Sequence, residues 1–225
     1  IVRSARNTVR VTEARHSLHD QGELDLAVPP QLFAATPSRL DSWLDCPRRY
    51  RFSYLERPTP AKGPPWAHNS VGAAVHGALA AWWLLPLEGR TPAAARRLIH
   101  ERWVALGFRD DAQAELWRSR AAEMVERYVT TLDPADEPVG VERTVAMKTP
   151  RLALSGRIDR LDRRGEELVV VDYKTGRHLL STDDARGSLA LAVYAAAAAA
   201  TMRRPCRRVE LHHLPTGDVV VWEYS

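Results

Sequence analysis

Residues 156 to 174 read GRIDRLDRRGEELVVVDYK and contain two β-strand patterns on either side of Gly165-Glu166. Glycine at the first position of a two-residue hairpin turn supplies the positive φ that such a turn needs. With this turn, the two strands pair in a register that sets Asp159 opposite Asp172. The stretch therefore predicts an antiparallel hairpin in which two acids face each other.

Two carboxylates and an amine gather on one face of this hairpin. Side chains alternate along a strand, so Asp172 and Lys174 share a face and Asp159 joins them from the other strand. Directly opposed Cβ atoms lie ~4.5–5.5 Å apart, so both carboxylates can hold one cation. A bound Mg²⁺ or Mn²⁺ would remove the repulsion between the acids and carry a water able to attack a phosphodiester. The alternative is an ordinary hairpin whose acids pair with surface arginines, which the four apolar residues before Asp172 disfavour.

The order of the predicted elements indicates an α/β fold. The part from 36 to 135 is mainly helical, with a first helix that begins at Ser38, and an alanine-rich helix covers 188–202. Strand patterns cover residues 139–147, 152–161, 167–173, 209–214 and 219–224. We therefore predict a mixed central sheet flanked by helices in one domain, residues 36–225. Its part from 36 to 135 is an N-terminal helical elaboration, the part from 136 to 225 is the sheet core, and residues 1–35 are a loosely attached extension.

The charge of the chain favours a polyanionic partner. The net charge is +4 and the isoelectric point is about 9.3. Of the 32 basic residues, three are lysines: Lys62, Lys148 and Lys174. Because arginine meets nearly every other demand for positive charge, lysine at position 174 is consistent with a need for a compact ammonium group there.

Composition also excludes several classes of protein. The longest apolar stretch, residues 189–202, is about 14 residues long, short of the roughly 20 that a membrane span needs, so no membrane association is expected. Cys46 and Cys206 are too few for a disulfide framework, and a reducing, cytoplasmic setting is expected. The sequence contains no phosphate-binding P-loop, so it carries no nucleotide-driven motor.

The hairpin motif resembles that of a known family. The pattern GRID at 156–159, followed by VVVDYKTG at 169–176, resembles the PD-(D/E)xK nucleases, in particular the branch of the RecB-type exonuclease domain and Cas4. Further similar pieces follow in the same order along the chain: SRL at 38–40 with CPRRY at 46–50, GAAVH at 72–76 and LALAVY at 189–194. The resemblance implies a restriction-endonuclease-like fold. It also implies a metal-dependent DNA nuclease of repair or recombination, an exonuclease on single-stranded ends more than an endonuclease.

The resemblance assigns roles to individual residues. It implies that Asp159, Asp172, the backbone carbonyl of Tyr173 and His76 are ligands of Mg²⁺ or Mn²⁺. It implies that Lys174 is the catalytic lysine, with Asp159 and Asp172 sharing the catalytic role. Without the resemblance, a single histidine on a helix is more typical of a core residue.

Several positions leave alternatives open. Glu142 is either a further acidic participant or a member of a rim ion pair. Tyr194 is expected to stack on DNA or to hydrogen-bond it, or else to be a half-buried core residue. The glutamine that the family places four residues earlier is Ala190 here. Many relatives hold an iron–sulfur cluster with four cysteines, but because Cys46 alone matches such a position, no cluster is expected.

Residues 48 to 54 interleave basic and aromatic side chains and are candidates for a DNA groove. The basic members are Arg48, Arg49 and Arg51, and the aromatic members are Tyr50, Phe52 and Tyr54. Arginines that track the backbone and rings that stack on bases are typical of single-strand binding, although some of these rings belong in a core.

A second functional hypothesis is a DNA-binding module on a nuclease fold, with weak or no catalysis, that acts as the partner of a separate helicase. Ala190 favours this hypothesis because one DNA-contacting amide is lost. The retention of Asp159, Asp172 and Lys174 disfavours it.

Overall fold

The predicted hairpin is present in the computed structural model, which describes residues 32–59, 61 and 63–225. Its strands are β3 (Leu152–Arg164) and β4 (Glu167–Lys174), and Gly165 in the turn has a φ of 62°. The ladder runs from Arg164 opposite Glu167 to Arg160 opposite Val171. The register predicted from the turn is therefore confirmed up to one step before the two aspartates.

β3 pairs with three other strands of a six-stranded mixed sheet. Strand β2 (Gly140–Lys148) pairs antiparallel along one edge of β3. On the other edge, β1 (Phe33–Ala35) runs parallel to the start of β3, and β4 pairs with its end. Strand β5 (Arg208–His213) is parallel to β4, and β6 (Asp218–Glu223) is antiparallel to β5. The mixed α/β class that the sequence predicts is confirmed.

Seven α-helices accompany the sheet in the described part of the chain. They are α1 (Pro37–Asp45), α2 (Pro47–Tyr50), α3 (Ala67–Trp83), α4 (Pro92–Arg102), α5 (Asp111–Val129), α6 (Thr182–Gly187) and α7 (Leu189–Met202). α4 begins at Pro92 because the Thr91 side chain accepts a hydrogen bond from the Ala94 N–H and proline suits the first helical position. None of these helices combines the length and hydrophobicity that a membrane span requires.

The central strand β4 is buried on both faces. Val169, Val171 and Tyr173 pack into the core formed with α3, α4 and α5. Leu168 and Val170 pack into a second core on the side of α7. This burial on both faces explains the continuous apolar run before Asp172. It also means that the carboxylate of Asp172 emerges from the end of a buried strand.

The N-terminal boundary differs from the prediction. Most of the predicted extension, residues 1–31, lies outside the described residues. The prediction is wrong for Phe33–Ala35, which pair with Leu152–Leu154 in the sheet. Three residues are too few to show an alternating pattern, so the sequence gives no sign of this strand.

The first helix also begins earlier than predicted. α1 starts at Pro37, and Thr36 is its N-cap, with a side chain that accepts a hydrogen bond from the Arg39 N–H. Ser38, the predicted start, lies inside the first turn. A Thr-Pro pair is as good a start signal as serine, since proline suits the first helical position.

Candidate metal centre

Asp159 lies in a gap along one edge of β3. Pairing with β1 ends at Leu154 and pairing with β4 begins at Arg160, so residues 155 to 159 pair with neither strand. In this gap the Asp159 side chain accepts a hydrogen bond in place of a backbone carbonyl, because its Oδ2 lies 2.9 Å from the N–H of Tyr173, which donates to it. This bond fixes the carboxylate at the point where β3 and β4 stop pairing. The Tyr173 carbonyl remains a predicted metal ligand.

Helix α3 brings His76 to the other oxygen of Asp159. The distance from His76 Nδ1 to Asp159 Oδ1 is 3.1 Å. Burial alone would lower the pKa of His76, but the hydrogen bond to Asp159 and the charges of Asp159, Asp172 and Glu142 raise it overall. The imidazole therefore interacts electrostatically with all three acids, and it lies where negative charge is concentrated.

Glu142 completes a group of three possible metal ligands. Ligand atoms of His76, Glu142 and Asp159 all lie within 4.8 Å of one another. Glu142 has a φ of 49°, and its backbone is unpaired with β3 although both of its neighbours in β2 are paired. Such a backbone conformation costs a non-glycine residue on the order of 1–3 kcal/mol and is concentrated at functional sites. The ion-pair alternative for Glu142 is present, because its Oε2 lies 2.7 Å from Nε of Arg157, and its participation in metal binding remains a prediction.

The alternation of side chains along β3 is interrupted at this point. Ile158 and Leu161 both pack into the core on the side of α7, although residues three apart on a regular strand face opposite sides. Between them, the Arg160 guanidinium lies 5.2 Å from the ring of Trp83 in α3. Asp159 is likewise directed toward α3 and His76. Strict alternation, from which we predicted one shared face for Asp159 and Asp172, does not hold at Asp159.

Asp172 and Lys174 form a close pair beside this group. Lys174 Nζ lies 2.6 Å from Asp172 Oδ2, and the Asp172 side chain is 13% exposed. The contact lacks hydrogen-bond geometry, so the buried Oδ2 has no hydrogen-bond partner. Burial raises the pKa of Asp172, the charge of Lys174 opposes this rise, and the charge of Asp159 adds to it. The two acids therefore lie close enough to interact, and the Lys174 ammonium lies at the Asp172 oxygen that a cation would use.

A cavity of about 440 Å³ opens onto the ligand group. It is lined by Gly72, Ala73, His76, Gly77, Glu142 and Arg157. The residues that α3 contributes besides His76 carry at most a methyl side chain, so they take up little of this space. The cavity has room for an ion with several waters, each of which needs about 30 Å³. Two carboxylates and one imidazole whose ligand atoms lie within 4.8 Å of one another fit a hard divalent cation.

Tyr194 borders the acids from the side of α7. The ring is half-buried and lies against Gly156, where a Cβ would overlap ring atom Cε1. Burial and the nearby charges of Asp172 and Asp159 raise the pKa of Tyr194. Gly156 therefore provides the space in which this ring reaches the site.

The side chains of the basic-aromatic run of residues 48–54 contact residues outside the metal centre. Tyr50 is only 6% exposed and accepts a hydrogen bond of 3.1 Å from Arg39, so its predicted stacking role is inconsistent with its burial. Arg49 pairs with Asp45 at 2.5 Å, and Arg51 pairs with Glu56 at 2.9 Å. Arg48, which lies over the Phe52 ring, is exposed. DNA contacts by Arg48, Arg49 and Arg51 remain predictions.

The sequence reasoning missed Arg157. Its guanidinium lines the cavity and holds Glu142. Arg157 lies within the GRID motif, which could have drawn attention to it. A regular hairpin, however, does not indicate which acid its side chain would contact.

Comparison with known protein families agrees with this geometry. A family model, the PD-(D/E)XK nuclease superfamily, matches residues 34–223, which include the hairpin, α3 and α7. A search of curated proteins gives no significant match. Nucleases of this superfamily use divalent metal ions, which is consistent with the ligand group described above. The chain belongs to the PD-(D/E)XK nuclease superfamily.

Proposed function

We propose that the protein is a Mg²⁺- or Mn²⁺-dependent DNA nuclease, acting as an exonuclease on single-stranded ends in DNA repair or recombination. The observation that carries this proposal is the convergence of His76, Glu142 and Asp159 beside the buried Asp172–Lys174 pair. The resemblance to RecB-type exonucleases and Cas4 supports an exonuclease, and the net positive charge supports a polyanionic substrate.

The chemistry follows from the roles of the side chains. His76, Asp159, Glu142 and Asp172 would hold the cation. When bound, the cation supplies a water of lowered pKa and positive charge near the scissile phosphate. The bond from the Tyr173 N–H to Asp159 keeps that carboxylate oriented without substrate, so little reorganisation is needed. Lys174, half-exposed and 2.6 Å from Asp172, is placed to donate to a phosphate oxygen or to orient the attacking water.

The proposal is tested with purified protein and end-labelled single-stranded DNA. Release of the label is expected with Mn²⁺ or Mg²⁺, and EDTA should abolish it. A circular single strand of the same sequence is the matched substrate without ends and should resist cleavage by an exonuclease. Asp159→Asn should be inactive on both substrates.

Other outcomes separate the rival hypotheses. No cleavage with any divalent ion, together with DNA affinity that falls steeply with salt, would select the DNA-binding module. Cleavage of the circle at the same rate would select an endonuclease. In either case Ala190→Gln tests whether the lost amide matters, since tighter single-strand binding is expected if residue 190 faces DNA.

The ring of Tyr194 gives a further prediction. Gly156→Ala should displace this ring and lower the cleavage rate about 10- to 100-fold, because small misplacements in an active site are costly. Overpacking should also lower the free energy of unfolding by about 1–3 kcal/mol. Initial rates and thermal unfolding measure the two effects. Gly187→Ala is the control, because a Cβ there meets nothing within 4 Å. Wild-type activity in Gly156→Ala would show that the position of Tyr194 is irrelevant to catalysis.

We also propose a cellular setting. Cys46 and Cys206 are both free, as suits the reducing cytoplasm. A helicase would supply the single-stranded ends on which the proposed exonuclease acts. Co-purification from cytoplasmic extract with an ATP-dependent unwinding activity tests this part of the proposal.

A further inference from the structure

Two arginines meet at one tryptophan ring beside the loop that follows Lys174. The Cζ atoms of Arg120 and Arg177 lie 5.2 Å and 5.4 Å from the centroid of the Trp117 ring. Arg120 follows Trp117 by about one turn of α5, and Arg177 is three residues beyond Lys174. Trp117 is half-buried and packs against the core of α3, α4 and α5. The loop after the catalytic lysine is therefore attached to a rigid helix through a cation–π contact.

The charges at this ring are unbalanced. Within the described part of the chain, neither Arg120 nor Arg177 has a carboxylate oxygen within 4.0 Å, whereas neighbouring Arg118 pairs with Glu115. Both guanidiniums are exposed, and like charges that approach the same ring repel each other. An anion that contacts both guanidiniums would reduce this repulsion. Phosphate is the anion that the planar donors of arginine match best.

The position of the ring relates these arginines to the metal centre. Three residues of extended chain span at most about 10 Å, so the Arg177 backbone cannot lie farther than this from that of Lys174. Thr175, which lies between Lys174 and Arg177, is close to α3, since a Cβ on Gly72 would lie 3.5 Å from its Oγ1, and Gly72 lines the cavity at the ligand group. A strand whose scissile phosphate lies at Lys174 can therefore place a neighbouring phosphate at the ring.

We propose that Arg120 and Arg177, held by Trp117, form a binding site for a backbone phosphate of the DNA strand next to the scissile one. The proposal rests on the proposed nuclease function and names where the substrate strand is held. A phosphate contact of this kind fixes the register of the strand and reads no base. Its loss should raise KM more than it lowers kcat.

The test measures single-strand binding and cleavage by the full chain. Binding is measured in EDTA, where no cleavage occurs, at several salt concentrations. Each phosphate contact with a single strand contributes roughly 0.7 to the slope of log K against log salt. Arg120→Ala and Arg177→Ala should each reduce this slope by about that amount and raise KM at least about threefold, with kcat little changed. Arg97→Ala removes the same charge from an exposed ion pair on α4 and is the matched control.

The outcomes separate this proposal from the proposed function. If the wild type cleaves DNA but Arg177→Ala and Arg97→Ala change the slope and KM equally, the phosphate site is overturned and the nuclease remains. If the wild type neither binds nor cleaves DNA, both are overturned. Should Arg177→Ala unfold, Arg177→Lys keeps the charge without the planar group. An intermediate KM for that variant supports the site, and a wild-type KM in both Arg177→Lys and Trp117→Phe contradicts the role of the ring.

Discussion

Asp172→Asn is expected to abolish metal-dependent cleavage without destabilising the metal-free protein. The cleavage rate should fall at least about 10³-fold, since the cation supplies several kcal/mol of transition-state stabilisation and would lose a charged ligand. Burial raises the pKa of Asp172, so the ionised side chain is penalised in the folded, metal-free state. Asparagine has nearly the same shape and no charge. The free energy of unfolding should therefore stay within about 1 kcal/mol of wild type or rise.

Asp162→Asn is the matched control for this prediction, because it makes the same substitution in the same hairpin. Asp162 Oδ2 accepts a hydrogen bond of 3.0 Å from Arg160, which is 5% exposed. Weakening the partner of this buried guanidinium should lower the free energy of unfolding by about 1–3 kcal/mol with little effect on cleavage. Urea unfolding without metal and cleavage rates with Mn²⁺ give the two readouts. If Asp172→Asn instead loses stability and keeps activity, Asp172 is a structural residue.

The hairpin could be predicted because local chemistry determines it. Gly165 is a residue that adopts a positive φ at little cost, and placing it in the turn sets the register of every later pair. The apolar run before Asp172 disfavoured a solvent-exposed hairpin, and the strand is buried between two cores. These features depend on neighbours in sequence, so a single sequence is enough to find them.

The interrupted alternation at Asp159 could not be predicted in the same way. The interruption coincides with the left-handed backbone of Glu142, which lies on a different strand. Glycine or asparagine at this position would have indicated that conformation, but glutamate does not. The end of pairing at Arg160 also depends on β1, whose three residues carry no pattern of their own. As a result, the arrangement predicted for Asp159 and Asp172 was too regular, and the hairpin alone did not imply that ligand atoms of His76 and Glu142 lie within 4.8 Å of Asp159.

Tyr50 shows that the sequence alone also does not determine which aromatic side chains are buried and which are exposed. Alternation in the run 48–54 predicts that some rings are buried but does not say which. The helical and π-helical conformation of this segment places Tyr50 against Trp43 and Tyr54, with ring centroids 5.4 Å and 5.1 Å away. A contact with Arg39, eleven residues earlier, completes the burial. Only the packing of separate segments reveals this arrangement.

Lys174→Met should separate catalysis from metal binding. Loss of the ammonium should lower kcat about 10²- to 10³-fold, the usual cost of removing one donor aimed at developing charge. Affinity for Mn²⁺ should be unchanged or tighter, because Lys174 Nζ now occupies the Asp172 oxygen that a cation would use. Single-turnover cleavage and calorimetric Mn²⁺ titration measure the two effects. Lys148→Met, which removes an exposed lysine at the end of β2, should match wild type in both.

A double-mutant cycle distinguishes this catalytic role from a structural one. In the metal-free protein, Lys174→Met leaves a buried carboxylate without its partner and should cost about 1 kcal/mol, a small value because the lysine is 46% exposed. Adding Asp172→Asn removes that carboxylate, so the double variant should recover the stability, but it should not recover cleavage. Such non-additivity in stability alone is expected if the pair interacts directly and each member serves the reaction separately. Mn²⁺ affinity that falls together with kcat in Lys174→Met would contradict this division of roles, since the lysine would then act by organising the ligands.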